Sequence, residues 1–188
     1  PVIRLHDHHV VVQNQIAPLL KNLFTHLLRN AMDHGLEPAA ERLAAGKPAA
    51  GRIDIEVKLD VGGLRIRLHD DGRGLALARI RARAFEQALL TEEEARSDEA
   101  VAQTIFLSGF STAEQVTEVS GRGVGMDAVR GFLQREGGDV HIHFLDTNVG
   151  ADFRAFDLVV SLPARFGTQL DLPSETAEPD ARLAPLAV

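Results

Sequence analysis

A run of polar side chains at helical spacing, His26-Leu27-Leu28-Arg29-Asn30-Ala31-Met32-Asp33-His34-Gly35, is the first place in this 188-residue chain where chemistry could be done. Positions 26, 30, 33 and 34 recur at i, i+4, i+7 and i+8. That spacing puts two imidazoles, an amide and a carboxylate on one helix face, away from the leucines. Such a stripe suits a hydrated Mg²⁺ with phosphate oxygens. Asn offers a neutral carbonyl ligand, His a base or a donor, and magnesium prefers oxygen while keeping several waters. Taken alone, the stripe is equally a solvated helix face.

Three further stretches add complementary chemistry. Asp70-Asp71-Gly72-Arg73-Gly74 follows directly on an alternating strand. A carboxylate at a strand end can accept a hydrogen bond from an exocyclic amine such as the N6 of adenine, and glycines let backbone approach a flat ring closely. Gly121-Arg122-Gly123-Val124-Gly125-Met126 opens a helix, so free N–H groups and the positive end of the helix dipole suit a phosphate. No Gly-Lys-Ser/Thr follows, and no strand precedes it, which excludes the Walker and dinucleotide-fold versions of a glycine loop. Phe106-Leu107-Ser108-Gly109-Phe110-Ser111-Thr112 has the composition of a lid: hydroxyls and glycine between apolar anchors.

The elements that must position these residues are read from periodicity. Residues 1–12 carry strand character. Ala17 to His34 reads as a helix whose apolar face is Leu20, Leu23, Leu27 and Ala31. Residues 36–51 are a short helix and a loop. Ile53, Ile55, Val57 and Leu59, then Leu64, Ile66 and Leu68, alternate on either side of Val61-Gly62-Gly63 as a hairpin with one buried face. Residues 77–90 and 98–107 read as helical, and Thr91-x-x-Glu94 as a capping box opening a short helix between them. A helix from about Gly125 to Glu136 ends at Gly137-Gly138. Strands follow at Val140, Ile142, Phe144 and at Phe156, Leu158, Val160, Leu162. His69, His141 and His143 alternate with buried positions and read as solvent-facing. The prediction is an α+β fold: a two-layer sandwich with a mixed, mainly antiparallel sheet and helices on one face. Residues 1–166 form the domain. Residues 167–188, rich in Pro, Ala and acids, read as a disordered tail.

Composition narrows the function. Twenty Lys and Arg against 27 Asp and Glu give net −7, the wrong sign for a protein that coats nucleic acid or an anionic membrane. Cysteine is absent, which excludes disulfides, thiolate metal sites and a Cys nucleophile. Nine Phe are the only aromatics, which weakens any base-stacking surface. No apolar run approaches the roughly 20 residues that span a bilayer, and no secretory signal is seen, so a cytoplasmic location is expected. The chain opens at Pro1, as expected of a piece of a longer protein.

In this order and at these spacings the motifs resemble the ATP-binding catalytic domain of CheA and CheA-like histidine kinases, within the Bergerat-fold (GHKL) ATPase superfamily that also holds gyrase and the mismatch-repair ATPases. The stretches that carry the resemblance are HLLRNAMDHGLE (26–37), GKPAAGRI (46–53), DDGRGL (70–75), FLSGFSTAEQVTEVSGRGVGMDAV (106–129) and EGGDVHIHF (136–144), within about residues 17–163. His rather than Glu at position 26 points to the CheA branch.

The resemblance implies Mg²⁺ and ATP as cofactors, and a role for each matching residue. Asn30 would be the Mg²⁺ ligand. His26 stands where other members carry a Glu near the γ-phosphate. Asp70 would read adenine, with Gly72 and Gly74 lining the same floor. His34, Arg79 and Arg83 would be phosphate-side contacts, the two arginines in place of lysines. Ser111 and Thr112 would belong to the lid, and Gly121, Gly123, Val124 and Gly125 to the phosphate loop, with Met126 at the helix start. The implied partners are a histidine phosphotransfer domain and a downstream response regulator of a two-component, chemotaxis-like system, with any dimer left to regions outside this chain. One departure stands out: where the family carries Gly-Thr before the last strand, this chain has Asp146-Thr147-Asn148-Val149-Gly150-Ala151-Asp152-Phe153. The alternative function is a nucleotide-binding regulatory scaffold with little or no turnover.

Overall fold

A computed structural model describes residues 1–110 and 126–170. Its centre is a five-stranded sheet. The strands are β1 (Val2–His6), β3 (Arg52–Asp60), β4 (Gly63–Asp70), β8 (Phe156–Leu162) and β6 (Asp139–Phe144), in the spatial order β1-β3-β4-β8-β6. β1 runs parallel to β3 and the other pairs are antiparallel, so the sheet is mixed and mainly antiparallel. The expected hairpin forms, with Val57 facing Ile66 and Ile55 facing Leu68.

Alternation decides which face is covered. Ile53, Ile55, Leu64, Ile66, Val140, Leu158 and Val160 are buried beneath the helices. They meet Leu20, Leu23 and Leu27 of α1 (Ala17–Asn30), Ile80 of α3 (Leu77–Glu86), Val101 of α4 (Asp98–Gln103), and Val129 and Leu133 of α5 (Met126–Arg135) in one core. The opposite face carries the charged partners of that alternation. One row across it runs Glu56, Arg67, Val159, His141, and the next runs Asp54, His69, Asp157, His143. His141 and His143 are exposed, as expected. His69 is half-buried, with Nδ1 3.0 Å from Asp157 Oδ1.

Several boundaries differ from the periodic reading. The first twelve residues form two strands, with β2 (Val10–Val12) separate from β1. Helix α1 ends at Asn30, and Ala31–Gly35 winds as a single π turn in which the Leu36 N–H donates to Ala31 O at 2.8 Å. The capping box is present: Glu94 N–H donates to Thr91 Oγ1 at 3.2 Å and Thr91 N–H to Glu94 Oε2 at 2.8 Å. What it opens is one 3₁₀ turn, Glu94–Arg96. The tail boundary after residue 166 falls too early. Gly167–Gln169 forms β9, antiparallel to β2, because Val10–Val12 lies near this segment and offers an unpaired backbone edge. Residues 171–188 lie outside the described residues.

A buried cation ties the segment after α1 to the sheet. Arg42, in the short helix α2 (Ala39–Ala44), is fully buried. Its Nε donates to Pro48 O at 2.8 Å, Nη1 to Glu37 Oε2 at 3.1 Å and Nη2 to Asp71 Oδ2 at 3.0 Å. Lys47 Nζ reinforces it, donating to Glu37 Oε1 at 2.7 Å and to the carbonyls of Asp71 and Gly72 at 3.1 and 2.9 Å. Burial opposes ionisation of Asp71, but hydrogen bonds from the Arg52 N–H and Arg42 outweigh it and hold this carboxyl below its ordinary range. Its contribution to stability is therefore present at neutral pH and is lost as pH falls through the folded-state pKa.

Arg42→Met should destabilise the fold by roughly 3–5 kcal/mol, since it leaves two carboxylates and two carbonyls without their buried cation. Urea unfolding at pH 7 measures this. A loss under about 1 kcal/mol, the range of an exposed pair, would show that the network is peripheral.

Candidate nucleotide-binding site

A cavity of about 300 Å³ lies where the end of α1, the end of β4 and the start of α5 converge. Helix α1 and its π turn supply Leu27, Asn30, Ala31 and Gly35. Strand β4 and its loop supply Leu68, Asp70 and Gly74, and α5 supplies Met126. Leu75, Ala76, Ile80, Ile105, Phe110, Phe156 and Leu158 complete the lining. Asn30 and Asp70 are the two polar side chains among these described lining residues. An apolar slot with a carboxylate in its lining suits a flat heteroaromatic ring with an exocyclic amine.

Asp70 and Asp71 are neighbours in sequence and opposites in environment. Asp71 is spent on Arg42 and the Arg52 N–H. Asp70 accepts only the Gly72 N–H, at 3.0 Å to Oδ1, and no Lys or Arg pairs with it among the described residues. Burial pushes the Asp70 carboxyl up, against a smaller lowering by that N–H and by His69. The glycines are steric requirements. A Cβ on Gly72 would stand 2.2 Å from Gly35 O, and one on Gly74, at φ +87, would stand 2.4 Å from Arg154 O. Arg73 N–H also donates to Gly35 O at 3.0 Å, so the end of the π turn and the Asp-Gly loop are stitched backbone to backbone.

The polar stripe of α1 is divided by the π turn. Asn30 lines the cavity with Asp70. Met32 and Asp33 line a wider open cleft of about 1110 Å³ with Glu37, Glu41, Arg73 and Arg79, and Ala76 borders both. His26 is half-buried one turn before Asn30, outside the cavity lining. Burial, then the charge of Arg29, lowers its pKa, which favours the neutral imidazole. Arg83 is exposed and donates from Nη1 to Glu86 Oε2 at 2.9 Å. Gly72 packs beneath the cavity rather than lining it. Ser111, Thr112, Gly121, Gly123, Val124, Gly125 and the His34 side chain lie outside the described residues.

Sequence patterns did not single out Arg42, Lys47, Asp98 or Arg154, because an arginine or an acid carries no local mark of being buried. The donor set fits Mg²⁺ with a nucleotide. Among the described residues no cluster of three or more His, Asp or Glu converges as a metal site. A cation at Asn30 would therefore be completed by phosphate oxygens and water, as magnesium prefers.

The fold and this cavity define an ATPase class. Residues 15–164 match the family described as histidine kinase-, DNA gyrase B- and HSP90-like ATPases, and the chain belongs to that family. Within it, the chain is 50% identical over 119 residues to the chemotaxis protein CheA of Klebsiella aerogenes, covering 63% of this chain and 18% of that protein. It is 35% identical over 165 residues to CheA of Cereibacter sphaeroides, covering 88% and 24%. It is 42% identical over 125 residues to the gliding motility regulatory protein of Myxococcus xanthus, covering 65% and 16%. The chain thus spans about a fifth of the length of these curated relatives. The mycobacterial sensor histidine kinase MprB shares the fold, with a TM-score of 0.51 at 16% identity over 90% of this chain and 83% of that one.

Asp70→Asn should weaken ADP binding by roughly 1.5–3 kcal/mol, about 10- to 150-fold. The folded-state pKa of Asp70 is raised, so its favourable contribution belongs to acid pH and is lost as pH rises through that pKa. Ionising Asp70 therefore destabilises the nucleotide-free fold. The Asn variant should melt at the same temperature or higher. Calorimetry and thermal melts test both, and unchanged ADP affinity or a large drop in melting temperature would contradict the assignment.

Proposed function

We propose that this chain is the ATP-binding catalytic domain of a CheA-like histidine kinase, donating the γ-phosphoryl group of Mg-ATP to a histidine on a separate phosphotransfer domain. The observation that carries the reading is the half-buried Asp70, with no Lys or Arg partner among the described residues, in an apolar slot that also presents Asn30, in a chain of this ATPase family.

Asp70 accepts from the exocyclic amine of adenine, while Leu68, Phe156 and Leu158 exclude water from the ring. Asn30 offers its side-chain carbonyl to the cation, and a bound Mg²⁺ supplies charge neutralisation at the phosphates. His26, one turn away, can hydrogen-bond beside the γ-phosphate. Arg79 faces the cleft adjoining the cavity and adds positive charge there, and Arg83 stands one turn further along α3. Resemblance to the family alone assigns phosphate-side roles to His34, Ser111, Thr112, Gly121, Gly123 and Gly125. In the transfer, the bond between the γ-phosphorus and the β–γ bridging oxygen breaks. A P–N bond forms to the acceptor imidazole, and ADP leaves. The domain's contribution is positioning and electrostatics, as phosphoryl transfer requires.

The acceptor belongs to a phosphotransfer domain in the same or another chain, and a response regulator takes the phosphoryl group from it. The proposed location is the cytoplasm, as a soluble protein or as the cytoplasmic part of a larger sensor. Among the described residues no helix is long and apolar enough to cross a membrane.

With radiolabelled ATP, the 188-residue chain should label a supplied phosphotransfer domain and leave itself unlabelled. Transfer should be slow, because nothing tethers the two. Asn30→Ala should cut Mg²⁺-dependent transfer on the order of 10²-fold while changing ADP affinity far less. Acid-labile label on any histidine of the chain alone would overturn the assignment of the acceptor. Tight ATP binding with no transfer to any phosphotransfer domain would indicate a nucleotide-binding scaffold instead.

A further inference from the structure

The segment that replaces the family's Gly-Thr is organised around a carboxylate that no motif marks. Asp98, at the start of α4, is fully buried. Its Oδ1 accepts from Arg81 Nη2 at 2.7 Å, and its Oδ2 accepts from Arg154 Nη1 at 3.0 Å and from the Gly150 N–H at 2.8 Å. Three separate segments therefore end on one carboxylate: helix α3, the loop at Gly150 and the strand β7 (Phe153–Arg154). Arg154 is itself fixed on its far side. Its Nε donates to Asp146 Oδ1 at 3.0 Å, and its guanidinium lies 4.0 Å from the centroid of the Phe144 ring.

These anchors continue into the nucleotide cavity. Arg154 pairs in register with Leu75 of β5 (Leu75–Ala76), and its carbonyl is the atom against which Gly74 packs. Gly74, Leu75 and Ala76 form one wall of the cavity. Ile80, the residue before Arg81, lines it from α3, and Phe156 lines it two residues after Arg154. Asp98 itself does not line the cavity. We propose that Asp98 is a positioning residue for nucleotide binding: by holding Arg81 and Arg154 it sets the wall of the slot that receives the base. In this chain the 146–154 segment thus acts on base affinity through packing, in place of a hydroxyl contact.

This inference rests on the nucleotide reading of the cavity, and the test separates the two. ADP and GDP affinities of the 188-residue chain are measured by calorimetry for Asp98→Asn, Arg81→Met, Arg81→Lys and Asp70→Asn, with kcat and KM for ATP measured on a supplied phosphotransfer domain. Asp98→Asn should weaken ADP binding about 3- to 30-fold, the range seen for positions remote from a ligand. It should also narrow the preference for ADP over GDP, and raise KM while kcat holds. Arg81→Met should move the same readouts less, and Arg81→Lys, which keeps the cation, should restore them. If Asp98→Asn does not fold, the two Arg81 variants decide alone. Wild-type ADP affinity and base preference in the folded Asp98 or Arg81→Met variant, or a fall in kcat at constant KM, would overturn the proposal. Wild-type ADP affinity in Asp70→Asn would overturn the cavity's reading and this proposal with it. Loss in Asp70→Asn with no change at Asp98 or Arg81 would remove the Asp98 proposal alone.

Discussion

Two consecutive carboxylates at the end of β4 are held in opposite environments, and the site depends on that division. Asp71 is paired with the buried Arg42 and with the backbone of Arg52, which keeps it ionised and structural. Because Asp71 takes the cation, Asp70 sits half-buried next to it with, among the described residues, one N–H for a partner. A carboxylate so placed is under-satisfied, and an incoming amine can supply the hydrogen bond it lacks. Had Arg42 reached Asp70, the strand end would be a closed ion pair with nothing left to read a ligand.

The same network sets the geometry. Arg42 and Lys47 draw the segment after α1 under the Asp-Gly loop, and the contact of Gly72 with Gly35 O brings the end of the π turn against it. The turn then matters for what α1 presents. A continuous α-helix would carry His26, Asn30, Asp33 and His34 on one face. The extra residue in the turn leaves Asn30 beside Asp70 and turns Asp33 toward the neighbouring cleft. The opposite wall is held from outside by Asp98, so two acid–arginine clusters brace the slot while the acid inside it has no Lys or Arg partner among the described residues. Such an arrangement places stability in the frame and leaves the binding group destabilising until a ligand arrives.

Features set by local periodicity were legible in the sequence. The β3–β4 hairpin, the apolar face of α1, the Thr91–Glu94 capping box and the helix stop at Gly137 all follow from residues within one or two turns of each other. Asn30, Asp70 and Met126 were legible as a set only through the order of their motifs, since nothing local says that positions 40 and 56 residues apart share a cavity. What escaped was non-local. β1 and β9 pair with strands far along the chain, and the burial of Arg42 depends on Glu37, Pro48 and Asp71 together. The π turn differs from an α-helix by one residue of winding, too little to alter a hydrophobic period. Asp98 resembles any acid in a first helical turn, where acids are common for electrostatic reasons.

The division between the two aspartates can be observed by carboxyl-carbon NMR titration of Asp70 and Asp71, without nucleotide and with saturating ADP. Asp70 should titrate above Asp71 in the free protein. On adding ADP its pKa should fall, because an amine donating to the carboxylate favours the ionised form. Asp71 should hardly respond. An Asp70 that titrates at or below Asp71, or one indifferent to ADP, would contradict the account.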